Sequence, residues 1–221
     1  MTSANTSKSH PNTQTTIHVV LDRSGSMGRI KSAVINGFNA LVAEQAAIPG
    51  ARFSLTQFDT ESIDHLYVDA PIEEVVPLDF FNYVPRGGTP LYDAVGQGIN
   101  ALRAKKPKGR VVFAIITDGE ENSSVEFTRE QVLAMVTEQR KAGWEFTFMG
   151  ADVDAYAMGA QLGIAPQAVY AFSANPQSAA RAFASMSSST TAYRSGATPS
   201  MVMNHDNEDS APLAVHTLGK L

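Results

Sequence analysis

Ile17-His18-Val19-Val20-Leu21-Asp22-Arg23-Ser24-Gly25-Ser26 joins an almost unbroken apolar run to an Asp-x-Ser-x-Ser pentapeptide. The run suits a parallel strand covered on both faces. Directly after the pentapeptide, Ile30, Val34, Phe38, Leu41 and Val42 recur at helical spacing through Glu44, and Pro49-Gly50 end the element. A strand that turns into a helix at Asp22, Ser24 and Ser26 gathers a carboxylate and two hydroxyls beside helix-terminal N–H groups. Hard divalent cations take oxygen ligands of this kind. Ser and Asp also make good helix N-caps, so from the pentapeptide alone Asp22 or Ser26 has two available jobs.

The remaining chain repeats the β/α alternation. Ala51 to Phe58 reads as a strand, and Asp59-Thr60 turns it into a second one at Ser62 to Val68; so short a connection makes the pair an antiparallel hairpin. Residues 69 to 88 form a loop punctuated by Pro71, Pro77, Pro85 and Gly87-Gly88. Thr89-Pro90 opens a helix carrying Leu91, Val95, Ile99 and Leu102 on one face. Arg110 to Thr117 is the most strand-like run and stops at Asp118-Gly119. Thr128 caps a third helix, which Gly143 closes. Trp144 to Met149, Asp154 to Leu162, Ala168 to Phe172 and Pro176 to about Met186 then read as strand, helix, strand and helix. This order predicts an α/β fold, an open and mostly parallel Rossmann-like sheet with helices on both faces. Residues 1–15, rich in Ser, Thr and Asn, read as a flexible arm, residues 16–186 as the folded domain and residues 187–221 as a tail, where periodicity fades.

Composition narrows the function classes. The 221 residues are 43% hydrophobic and 18% charged, enough for one respectable core. No cysteine is present, which removes disulfides and thiolate ligands. The first residues lack the apolar core of a signal peptide and no run reaches membrane-spanning length, so the expectation is a cytoplasmic protein without a membrane partner. With a net charge of −5 and basic residues grouped only between Arg103 and Arg110, nucleic acid is not the expected partner. His10, His18, His65, His205 and His216 show no metal-ligand spacing; His18, inside a strand, reads as a satisfied or edge residue.

In open α/β sheets ligands bind beyond the carboxyl ends of the strands, where strand order reverses. Asp22 and Asp118 both leave such ends, and Thr89 can join them from the loop before the second helix. Each has an alternative use. Thr89 with Pro90 makes an N-cap and N1 pair, and Asp118-Gly119 makes an ordinary turn. Asp152 and Asp154 precede a short helix, so capping is their expected job, and Glu120-Glu121 read as a solvated acidic rim.

Taken together, Asp-x-Ser-x-Ser at 22–26, Gly-Gly-Thr-Pro-Leu-Tyr-Asp-Ala at 87–94 and Ile-Ile-Thr-Asp-Gly at 115–119 resemble the von Willebrand factor A domain with its metal-ion-dependent adhesion site. More narrowly, the chain is similar to compact bacterial and phage members, including those encoded near tellurium-resistance genes. The resemblance implies a sheet ordered 3-2-1-4-5-6 with an antiparallel third strand. It also implies Ser24 and Ser26 as direct ligands, Asp22 and Asp118 acting largely through water, and Thr89 directly or through water. The expected cation is Mg2+, with Mn2+ close behind, and the expected partner is another protein supplying a Glu or Asp carboxylate. The resulting expectation is a non-enzymatic, metal-dependent protein-interaction module. Two alternatives stand beside it: a structural component of a phage particle or other assembly, which would be virion-associated, and a metal-dependent phosphohydrolase with Asp22 as nucleophile. The last is disfavoured because Ser24 stands where a second carboxylate is wanted.

Overall fold

Apolar runs with polar ends become the strands of a single sheet in the computed structural model, which describes residues 14–205. The strands are β1 (Thr15–Asp22), β2 (Ala51–Phe58), β3 (Ile63–Pro71), β4 (Arg110–Thr117), β5 (Trp144–Ala151) and β6 (Val169–Phe172), and the order across the sheet is β3-β2-β1-β4-β5-β6. Only the β2–β3 pair is antiparallel; β1 pairs in parallel with β2 and β4, β4 with β5, and β5 with β6. The expected fold class, hairpin and strand order are all observed. Strand order reverses at β1, between β2 and β4, and that is where the crevice lies.

Alternation along the central strands divides the interior into two cores. Ile17, Val19 and Leu21 of β1 and Ala114 and Ile116 of β4 pack toward α1 (Lys31–Ala46) and α5 (Pro176–Ser195). Val20, Phe113 and Ile115 point the other way, toward α2 (Leu91–Lys105), α3 (Arg129–Lys141) and α4 (Ala155–Gln161). Covering both faces explains why β1 and β4 read as continuous apolar runs. Thr128 caps α3 as expected, in a capping box with Gln131. His18 lies not at an edge but on central β1, fully buried, where Nε2 shares a hydrogen bond with Thr56 Oγ1 and burial pushes its imidazole down to about 3.

The last helix departs from expectation. It runs past Met186 to Ser195, into the segment read as tail, and Met201 and Met203 beyond it are buried. Low helix propensity in the Ser/Thr run is overridden by partners on α1. Gln45 Nε2 donates to Ser187 O, Ser187 Oγ and Thr191 Oγ1, and the Arg194 guanidinium donates to Gln45, Ile48 and Pro49. At the other end Thr15, read as part of the arm, is the first residue of β1. Residues 1–13 and 206–221, the rest of the expected arm and tail, lie outside the described residues.

Gly37 sets the close approach of α1 to α5, because a Cβ there would overlap the Phe183 ring and its own Cβ. Gly37→Ala is therefore expected to destabilise the fold by about 1–3 kcal/mol through overpacking. A lower urea midpoint at unchanged m-value would show it, whereas an unchanged or raised midpoint would mean that the α1–α5 contact is slack.

Candidate metal centre

At the end of β1 the backbone must turn at once, and Asp22 organises the turn. Its Oδ1 accepts the Ser24 amide at 2.6 Å, its Oδ2 accepts Thr117 Oγ1 from the end of β4 at 2.5 Å, and its carbonyl accepts the Tyr83 hydroxyl at 2.7 Å. The carboxylate has no exposed surface. Burial raises its pKa to about 6, against the opposing pull of the Thr117 and Ser24 hydrogen bonds, with the nearby Asp118 charge adding to the rise.

Arg23, next in sequence, turns away from the crevice. It pairs with Asp59 at 2.7 Å and Asp64 at 2.9 Å, while Arg86 joins the same Asp59 oxygen at 3.0 Å. Those bonds and two turn amides pull the Asp59 carboxyl below its ordinary range despite its desolvation. Beyond Arg23, Ser24 Oγ lies 3.2 Å from Ser26 Oγ, and Ser26 Oγ donates to Asp118 Oδ1 at 2.5 Å across 92 residues of sequence. Thr89 is brought in beside Gly119: a Cβ built on that glycine would lie 2.9 Å from Thr89 Oγ1 and 3.8 Å from Ser26 Oγ. Asp22, Ser24, Ser26, Thr89 and Asp118 therefore converge on one spot. All are buried except Ser26, which faces the opening.

The capping alternatives find no support. The 3-10 turn Gly25–Ile30 has Ser24 at its N-cap with no side-chain cap, α1 begins only at Lys31, and α2 starts after Pro90, also uncapped by a side chain. Thr89 instead has its amide bonded to Asn122 Oδ1. Asp154 does cap α4, through the Ala157 amide. Asp152 does not: it takes the Ala174 amide on one oxygen and, at 3.3 Å, the Arg29 guanidinium on the other.

Glu121 also departs from its reading as solvated rim. Its carboxylate accepts the amides of Tyr92, Ser123 and Ser124 and the Ser124 hydroxyl, and so holds the 119–127 loop onto α2. Buried Asp93 does the same for the amides of Val125, Glu126 and Phe127. Arg29, which sequence reasoning passed over, bridges Asp118 and Asp152 at 3.3 Å each; an arginine in a Gly-rich turn carries no periodic signal.

The donor set fits a small hard cation. The Ser24 and Ser26 hydroxyl oxygens, 3.2 Å apart, are spaced like neighbouring ligands of an octahedral ion whose edge is about 3 Å. Among the described residues no three His, Cys, Asp or Glu side chains gather into a carboxylate or imidazole cage. The cluster is instead made of neutral hydroxyls flanked by two carboxylates.

The architecture matches the von Willebrand factor domain of the type V pili tip protein Mfa5 from Porphyromonas gingivalis, with a TM-score of 0.64 and 11% identity over 90% of this chain and 100% of that one. The fold is that of a von Willebrand factor A domain. Proximal thread matrix protein 1 from the mussel byssus shares it, with a TM-score of 0.58 and 15% identity over 79% of this chain. This chain spans only 45% of the mussel protein, which has also been solved with zinc in its MIDAS motif. The pilus adhesin SpaC from Lactobacillus rhamnosus is a further match, with a TM-score of 0.63 and 16% identity over 81% of this chain and 30% of that one. No protein-family model and no curated protein sequence matches.

Burial of Asp22 has a measurable consequence in this von Willebrand factor A fold. Its folded-state value of about 6 lies above the ordinary 3.8, so the folded chain binds the extra proton as pH falls through that window. The stability of the metal-free protein linked to this group is therefore greatest at low pH and is lost as pH rises toward 6 and beyond. In chelator, Asp22→Asn is expected to stabilise the fold by roughly 1–3 kcal/mol at pH 7 and by much less near pH 4. Urea titrations of both proteins at the two pH values would check this, and a variant less stable than wild type at pH 7 would refute it.

Proposed function

We propose that this chain is a non-enzymatic, metal-dependent protein-binding module whose crevice captures an acidic side chain of a partner. Ser24 and Ser26 would hold the cation directly, Thr89 directly or through water, and Asp22 and Asp118 largely through water, with Mg2+ the preferred ion and Mn2+ a close second. When bound, the cation supplies an electrophilic position for an anionic oxygen, because the hydroxyls around it contribute no charge of their own. The chain's own residues prepare that position. Thr117 and the Ser24 amide fix both oxygens of Asp22, and Asp118 orients the exposed Ser26 hydroxyl.

The observation that carries this reading is the meeting of Ser24, Ser26 and Asp118 at the carboxyl ends of the central strands, where strand order reverses. A phosphohydrolase is less well served. Asp22, the nucleophile that reading would use, is fully buried and accepts a hydrogen bond on each oxygen. Capture of a neighbour's carboxylate also suits a component of a larger assembly, so the assembly reading is compatible with the same site chemistry.

Isothermal titration of chelator-stripped protein with Mg2+ and then Mn2+ is expected to give saturable binding at one site. Ser24→Ala combined with Ser26→Ala should abolish it while leaving the circular dichroism spectrum and thermal midpoint near wild type. Unfolding of the double variant, or binding that survives it, would overturn the proposal.

A further inference from the structure

Between β3 and α2 the chain holds large apolar side chains out in solvent: Phe81 is 91% exposed, Phe80 57%, and Val76 and Val84 flank them at 61% and 44%. Side chains of this kind are ordinarily inside, and a group of them on a soluble surface marks a contact site. The segment is not loose. Asp79 accepts the amides of Phe81 and Asn82, Asn82 accepts the Asp79 amide and donates to Pro77 O, and Asn39 of α1 exchanges two hydrogen bonds with Leu78. Val75, Leu78 and Tyr83 point inward as buried anchors between the exposed residues. The rings are thus displayed on a preorganised frame, and contact with them requires little further ordering of the chain.

This frame is stitched to the proposed metal centre. The Tyr83 hydroxyl donates to Asp22 O, the Arg86 amide to Arg23 O, and the Gly25 amide to Gly87 O. One cation lies directly against the rings although the whole chain carries −5. Lys31 donates to Phe80 O and places its ammonium 4.9 Å from the Phe80 ring centroid, while Arg29, two residues earlier, directs its guanidinium to Asp118 and Asp152 at the crevice. Asp79 nearby is engaged with its own turn amides, and Glu73 and Glu74 lie at the start of the segment, before Val75.

We propose that Phe80 and Phe81, with Lys31 beside them, form an apolar anchor site for the protein whose carboxylate enters the metal centre, so that the recognised element is an acidic residue accompanied by an aromatic or large aliphatic one. The inference rests on the metal-dependent binding reading above. Aromatic side chains account for much of the binding energy in contacts of this sort, and an anchor of this kind gives selectivity among the many acidic surfaces that a bare cation would accept.

The test pans a phage-displayed library of random dodecapeptides on the full chain in Mg2+, with chelator as control, and compares wild type with Phe80→Ser/Phe81→Ser. Both positions are exposed, so the variant should keep the wild-type thermal midpoint and Mg2+ titration. Expected are metal-dependent clones that carry Asp or Glu together with Phe, Tyr, Trp or Leu, and that bind the variant about tenfold more weakly. Acidic clones without apolar enrichment, or equal affinity for the variant, would overturn the anchor while leaving the metal-site reading intact. Apolar clones indifferent to chelator would overturn the coupling of the two sites. Self-association of wild type in sedimentation, absent from the variant, would make a second copy of this chain the occupant and refute the stated partner. Absence of Mg2+ binding by calorimetry would remove the metal-site reading and this inference with it.

Discussion

A fully buried carboxylate at the end of the central strand is the constraint on which the rest of the crevice depends. Asp22 cannot be solvated, so its charge is met by fixed donors: an amide from its own turn and a hydroxyl from the neighbouring strand. Meeting it forces the turn after β1 into one shape, ties the carboxyl ends of β1 and β4 together, and sets Ser24 and Ser26 facing Asp118. The Tyr83 hydroxyl on the Asp22 carbonyl extends the same constraint to the long segment before α2. Two hydrogen bonds relieve part of the desolvation cost but not all of it, as the upward shift of the Asp22 carboxyl records.

How charge is distributed around that carboxylate matters as much. Arg23 is adjacent in sequence and buried, yet its guanidinium is directed to Asp59 and Asp64, with Arg86 completing the group from across the loop. The pairing gives the turn around Asp59 its rigidity and leaves the crevice short of positive charge. Among the described residues no cationic side chain pairs with Asp22, and Asp118 has only the longer contact to Arg29, whose side chain is 55% exposed. Two buried carboxylates with one solvated counterion between them leave an excess of negative potential focused on a cluster of hydroxyl oxygens. That is an arrangement suited to a small divalent ion.

Much of this was legible along the chain, for reasons that are local. β4 is an apolar run with a polar residue at each end, α3 begins at a Thr with Gln three positions later, and the β2–β3 turn is too short for a crossover. Each of those signals sits within a few residues of the element it specifies. The convergence of Asp22, Thr89 and Asp118 followed from where the strands end, and the strand order came from the family resemblance. What escaped notice is decided by distant partners. The continuation of α5 through a Ser/Thr run depends on Gln45, more than 140 residues away. The inward turn of Glu121 depends on the α2 N-terminus, and the role of Arg29 on two aspartates that directly follow β4 and β5. In all three cases a polar side chain that looks solvated by composition is fixed by a contact that no periodicity encodes.

The same distribution of charge gives the proposed site a built-in linkage. If hydroxyls supply most of the direct contacts, the cation retains most of its charge and is held less firmly than in a carboxylate cage. An incoming carboxylate then strengthens the hold on the metal by the same factor by which the metal strengthens the hold on the carboxylate. Weak cation binding by the isolated chain and tight binding in a complex are thus two aspects of one free energy. The rigid frame around Tyr83 and Asp59 matters here, because a coupling of this kind is diminished by any loosening of the loops that must be re-ordered on binding. A crevice with neutral ligands, buried second carboxylates and a fixed surround is one in which neither the ion nor the partner alone realises the full interaction.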